Sequence, residues 1–256
     1  MTSNAAPIPP VGRAWVRRSR GHYASSLHLV DTLPSPETPG RDSADVVIRV
    51  SHVALEFAIA TVLAIFPALP FAPPMVPELE YSGIIIAAGG RAPKSLQTPG
   101  TRVLGSVTPV DMLLRGAGVL REYIRVPPTL VAPLPDMGAE DSTLSMSEAA
   151  GLVGSGSTAL AMVNAADVQT GQRVLVNGAS GSVGHMVVQL CHIRGAFVVG
   201  VASGRNEELV RKCGASEASY EYRHITHFQI EILHIVLTNY NSLSTILNNH
   251  SLNIFP

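Results

Sequence analysis

RVLVNGASGSVGHMVVQLCHIRGAFVVGVASGRNEELVRKCG, residues 173–214, is the stretch around which the rest of the chain has to be arranged. Val174-Leu175-Val176 is a short apolar run with the composition of a buried strand. It breaks into Gly178-Ala179-Ser180-Gly181-Ser182-Val183-Gly184, in which the glycines stand three apart. Val183, Met186, Val187, Leu190 and Cys191 then recur at helical spacing on one face. A second apolar run, Phe197 to Val201, ends at Ala202-Ser203-Gly204-Arg205. Strand, glycine turn, amphipathic helix and second strand in this order predict a β-α-β unit that holds a dinucleotide.

Each glycine has a physical role in such a unit. Gly178 permits the tight turn off the strand, Gly181 lets backbone approach a diphosphate, and Gly184 lets the helix lie close to the sheet. Free N–H groups and the dipole at the helix N-terminus favour the negative charge. The end of the second strand selects the cofactor, because an acid there binds a ribose 2′-hydroxyl whereas small polar and basic residues accept a 2′-phosphate. The chain has Ser203, Arg205 and Asn206 and no acid until Glu207, which predicts NADPH rather than NADH. Asn206 has a competing reading as an N-cap, since Glu207-Glu208, Arg211-Lys212 and Gly214 follow it as acidic first turn, basic last turn and glycine stop.

A length of 256 residues allows one large or two modest domains. Hydrophobic residues make up 46% and charged residues 14%, with a net charge of −1. This balance argues against a nucleic-acid partner and against an anionic membrane surface. The two cysteines, Cys191 and Cys213, form neither a disulfide framework nor a metal-ligand pattern and read as reduced residues of an intracellular protein. Arg13, Arg17, Arg18 and Arg20 precede the first acid, Asp31, but Pro7, Pro9 and Pro10 interrupt the helix a transit peptide needs. A disordered start over residues 1–12 and a cytoplasmic rather than mitochondrial protein are expected. The most apolar segment, Phe57 to Phe66, is too short to span a bilayer.

Before the dinucleotide unit the punctuation is that of strands and turns. A strand is expected near Ala14 to Arg18, and others over Asp45 to Val53, Tyr81 to Ala87, Arg102 to Val107 and Val119 to Val126. The apolar segment Ala54 to Leu69 predicts one short helix. Ser145-Met146-Ser147-Glu148 is a capping-box pattern that opens another, and Gly151, Gly154 and Gly156 would let it pack near backbone or ligand.

The order of a β domain, Glu148-Ala149-Ala150-Gly151-Leu152, Ser157-Thr158-Ala159-Leu160, the run from Gly171 to Gly184, and Gly214-Ala215 resembles the medium-chain dehydrogenase/reductase superfamily. Within it the chain is most similar to the zinc-free quinone oxidoreductase and enoyl reductase branch. Pro77-Glu78-Leu79-Glu80-Tyr81-Ser82-Gly83 and Leu120-Arg121-Glu122-Tyr123-Ile124-Arg125-Val126-Pro127 are similar to signatures of that family's GroES-like domain. The resemblance implies an α/β protein with a GroES-like β-barrel domain over residues 13–135 and a partial Rossmann, doubly wound domain over 136–223. It further implies a homodimer and an NADPH-dependent transfer of hydride to a small-molecule quinone or α,β-unsaturated carbonyl. Carried over to this chain, Gly178, Ala179, Ser180, Gly181, Ser182, Val183 and Gly184 hold the diphosphate and Ser203 and Arg205 the 2′-phosphate. Tyr222 lies at the adenosine end and Thr158 near the nicotinamide. No catalytic residue is identified.

The chain departs from the family in three places. It has no cysteine before Cys191, and His22, His28 and His52 are scattered, so no metal site is expected. Where relatives carry an Asn-Pro-x-Asp-type loop it reads Leu55-Glu56-Phe57-Ala58, and Glu56 is read as a solvated loop carboxylate. The family pattern stops at Arg223: residues 224–256 hold no Gly, Ala, Lys, Arg or Asp but five Asn and four of the nine His. The tail is accordingly expected to lie outside the family, as translated non-coding sequence such as a retained intron. Strand Val174 to Asn177 is then expected to keep one edge open. The tail run Ile230 to Leu237 has strand-like composition that would suit it to cover exposed surface, but is read as the apolar content of an unselected sequence, and His224, His227 and His234 are not read as metal ligands. The alternative to the reductase is a catalytically inactive relative with at most weak nucleotide binding.

Overall fold

Residues 7–66, 74–135, 144–219 and 232–236 are described by the computed structural model. Two units emerge, Met1–Gly154 and Ser155–Pro256. In the first, alternation along Val11–Arg17 (β1) buries Ala14, Val16 and Arg17 and turns Trp15 outward. After a single turn of helix, Tyr23–Ser26 (α1), the chain returns as Leu27–Pro34 (β2), antiparallel to β1. Val46–Val53 (β3), Glu80–Ala88 (β4), Arg102–Ser106 (β5), Tyr123–Val126 (β6) and Val131–Pro133 (β7) form an antiparallel sheet in the order β6-β3-β4-β5-β7. Their inward residues Val46, Ile48, Tyr81, Ile85, Val103, Ile124 and Val126 make its core, joined by Val119.

Phe57–Ile65 (α2) seats Ile59 and Leu63 against Leu27 and against Met112 of Pro109–Arg115 (α3). Thr108 caps α3 by accepting from the Asp111 amide at 3.1 Å, and Gly116 ends it with φ 66°. The expected capping box opens Met146–Ala150 (α4), with Ser145 and Glu148 bonded reciprocally. Gly154 is closely packed, but against a side chain rather than the backbone or ligand expected: a Cβ there would stand 1.8 Å from Glu80 Oε1, whereas one on Gly151 would meet only Glu148 O at 3.8 Å. One further expectation needs correction here. The strand expected over Val119 to Val126 begins at Tyr123, because Val119, Leu120 and Arg121 are held in turn and bridge contacts with Glu78, Pro77 and Ala14. Strands β2 and β7 and helix α3 were not foreseen.

Val153–Ala165 (α5), Arg173–Asn177 (β8), Gly184–Ile193 (α6), Phe197–Val201 (β9), Glu207–Lys212 (α7), Glu217–Ser219 (β10) and Ile232–Val236 (β11) follow. Strands β8 to β11 form a parallel sheet in the order β10-β9-β8-β11, an α/β arrangement in which β8 is central. Val174, Val176, Val187, Val188, Cys191, Val198 and Val210 lie in its buried core. The second edge of β8 is not open. Ile232–Val236, inside the segment read as foreign to the family, pairs with it in parallel from Ile232↔Arg173 to Val236↔Asn177. A buried strand needs partners for its amides and carbonyls on both sides, and this apolar, partly β-branched segment has the composition to extend.

Candidate functional site

The glycine turn between β8 and α6 is built as its spacing demands. Gly178 takes φ 71°, in the left-handed region that glycine enters without steric cost. The Gly181 amide donates to the Gly178 carbonyl at 2.9 Å and closes the turn, while the Ala179 amide donates to Val201 O at 2.9 Å and ties it to the end of β9. A Cβ on Gly184 would lie 2.1 Å from Gly178 O, so only glycine lets α6 start this close to the turn. At Gly181 a Cβ would meet a single atom, Gly178 O at 3.2 Å, and otherwise faces open space. The amides of Ser180, Ser182 and Val183 donate to no atom among the described residues, and no side chain caps α6. Unpaired N–H groups, a ten-residue helix behind them and room above Gly181 fit a diphosphate.

The end of β9 adds a second group. Ser203, at the N-cap of a 3₁₀ turn over Gly204–Asn206, and Arg205 within that turn are both exposed. Arg205 makes no ion pair or side-chain hydrogen bond among the described residues, whereas Arg211 is paired with Glu207 at 2.8 Å. Glu207, the first acid after β9, is thereby engaged along α7. Asn206 sits at the N-cap position of α7 but makes no cap bond with its side chain. Its Nδ2 instead donates to Ser180 Oγ at 3.0 Å and Ser203 Oγ at 3.1 Å, joining the two turns. The sequence carried both parts of this contact, but local pattern favoured the cap. Thr158 is exposed on α5, and Tyr222 lies outside the described residues.

In the first unit three carboxyls gather. Glu78 is completely buried and, unusually for a side-chain-bearing residue, has φ 71°. Its Oε1 accepts from Tyr23 Oη and its Oε2 from the Glu56 amide at 3.1 Å. Burial pushes its carboxyl up, and these two bonds oppose the rise. Glu56 is not the solvated carboxylate expected from the sequence. It is half-buried, and burial, followed by a hydrogen bond with the Glu80 carboxyl and the charges of Glu80 and Glu78, raises it to about 7. His22, His28 and His52 are all exposed.

No protein-family model matches the chain. It is 55% identical over 217 residues to a medium chain reductase of Acremonium, and the match covers 80% of this chain and 60% of that one. Over 233 residues it is 30% identical to a trans-enoyl reductase of Penicillium oxalicum, again covering 80% and 60% of the two chains. Among solved structures, the quinone oxidoreductase from Thermus thermophilus, determined also in complex with NADPH, superposes with a TM-score of 0.58 at 30% identity, covering 80% of this chain and 59% of that one. The chain thus spans about 60% of the length of the curated relatives it matches. No helix among the described residues is long and apolar enough to cross a membrane.

Proposed function

Because the chain belongs to the medium-chain dehydrogenase/reductase superfamily, on its quinone oxidoreductase and enoyl reductase side, we propose that its second unit binds NADPH. In this reading the amides of Ser180, Ser182 and Val183 and the N-terminus of α6 take the diphosphate, and Ser203 and Arg205 take the 2′-phosphate. Tyr222 and Thr158 serve the adenosine and nicotinamide ends. When bound, the cofactor supplies a hydride. The chain's own residues bind and orient it: Gly178 and Gly184 hold the turn close, Gly181 leaves the diphosphate room, and Arg205 neutralises charge that Glu207, engaged with Arg211, does not repel. The whole protein is proposed to reduce a small-molecule quinone or α,β-unsaturated carbonyl without zinc, since no cysteine precedes Cys191.

The observation that carries the proposal is the glycine turn, with three amides unpaired over a helix N-terminus and an open face at Gly181. Its test is thermal unfolding with NADPH or NADH, followed by the loss of NADPH absorbance with simple quinones and enals. NADPH at about 100 times its Kd should stabilise the second unit by about 3 kcal/mol. Turnover is expected in addition. Protection without turnover supports the nucleotide-binding but inactive protein, and absence of protection refutes the site.

A further inference from the structure

We infer that Asn206 is a positioning residue that turns two serine hydroxyls outward as donors for a phosphomonoester, and so sets the preference for a 2′-phosphorylated nucleotide. The inference rests on the nucleotide-binding reading above and assigns the determinant of its cofactor choice. An amide NH₂ has two hydrogens and no acceptor capacity. Asn206 Nδ2 places one hydrogen on Ser180 Oγ at 3.0 Å and the other on Ser203 Oγ at 3.1 Å. Each hydroxyl therefore accepts from Asn206 and keeps its own O–H hydrogen to donate. Neither Oγ donates to a protein atom among the described residues. The two O–H groups belong to different turns, one after β8 and one after β9, and the neighbouring Arg205 is exposed and makes no ion pair or side-chain hydrogen bond among the described residues.

Two hydroxyl donors and a guanidinium, none of them bonded to a carboxylate among the described residues, suit a ligand whose oxygens only accept. A phosphate monoester dianion is such a ligand, whereas a ribose 2′-hydroxyl, which must also donate, is not served by it. Asn206 is held for this task, as its backbone N–H donates to Ser203 O at 2.8 Å. Without it both serines regain their rotamers and their hydroxyl protons lose a fixed direction, and that ordering cost falls on ligand binding.

The test uses the full chain and calorimetric titration with NADPH, NADH, 2′,5′-ADP and 5′-AMP. Asn206→Ala should weaken NADPH and 2′,5′-ADP about tenfold and NADH and 5′-AMP no more than about twofold. Asn206→Asp differs by one group, and its carboxylate would accept from both serines, draw their protons inward and add a negative charge. It should weaken the 2′-phosphorylated pair by about a hundredfold or more while sparing NADH. Ligand-free unfolding midpoints identify any variant that fails to fold, in which case the near-isosteric Asn206→Asp carries the comparison. Unchanged NADPH-to-NADH ratios in variants of a wild type that binds NADPH overturn the role of Asn206 alone. A wild type that binds neither NADPH nor 2′,5′-ADP overturns the nucleotide reading itself.

Discussion

Replacing Gly184 and Gly181 separately by alanine divides the structural work of the glycine turn from its binding work. A methyl group on Gly184 would sit 2.1 Å from Gly178 O, 2.9 Å from Gly178 C and 3.1 Å from Ala179 Cα, all backbone atoms that no rotamer change can move. Relief requires α6 to slide from the turn by more than about 1 Å, an overpacking cost of about 1–3 kcal/mol. The gain of about 0.5–1 kcal/mol for alanine over glycine within a helix offsets part of it. Gly184→Ala should thus lose about 1–2 kcal/mol of stability. At Gly181 the added methyl meets only Gly178 O at 3.2 Å, so Gly181→Ala should lie within about 0.5 kcal/mol of wild type. The same methyl would occupy the space proposed for the diphosphate, and NADPH affinity should fall at least about tenfold. Urea unfolding followed by far-UV circular dichroism is the assay for stability, because the single tryptophan, Trp15, reports on the first unit. A Gly184→Ala protein as stable as wild type, or a Gly181→Ala protein that is the less stable of the two, would refute the reasoning.

Glu56 should make stability fall with rising pH. Its folded carboxyl, at about 7, lies above its ordinary value of 4.5, so between those limits the unfolded chain releases a proton that the folded chain keeps. The unfolding free energy should drop by about 1 kcal/mol across that window, after discounting for the group's partial exposure, and level off above it. Urea midpoints at several pH values check this, with Glu56→Gln flattening the slope; a slope that survives in Glu56→Gln counts against it. Arg17 Nη2 donates to Leu63 O at 3.0 Å and to Phe66 O, latching the C-terminal end of α2. Arg17→Leu should cost about 2 kcal/mol and speed amide hydrogen exchange in α2, and unchanged exchange there would contradict the latch.

Legibility in the sequence followed the range of the interactions. The unit from β8 to α7 was readable because strand, glycine turn, helix face and second strand are all local and agree. Helix α3 was just as readable, with Thr108, Pro109, Asp111, Arg115 and Gly116 in their capping places, but the segment between the strands expected to end at Val107 and to begin at Val119 was assigned no element. Glu78 entered the reading only within the run Pro77 to Gly83 similar to a GroES-like signature, and nothing local announced its burial, because its partner Tyr23 lies 55 residues away. Asn206 fitted two rules at once, and a contact with Ser180, 26 residues back, decided against the local one. The solvated reading of Glu56 failed because its carboxyl is raised first by burial and then by Glu80 and Glu78, and only the fold supplies that burial and brings those residues near.

The pairing of β11 with β8 has a consequence for how the protein is made. The two strands, ending at Asn177 and beginning at Ile232, are separated by 54 residues of chain, and closing a loop of that size costs about 3.5 kcal/mol before any bond is gained. At a synthesis rate of about 5–20 residues per second, a nascent chain that has emerged past Asn177 must wait several seconds for its partner. Throughout that interval the apolar backbone from Val174 to Val176 is available to any other extended peptide, including its twin on a neighbouring ribosome. The yield of native protein should therefore depend on translation speed and chaperone supply more than on the stability of the finished sheet.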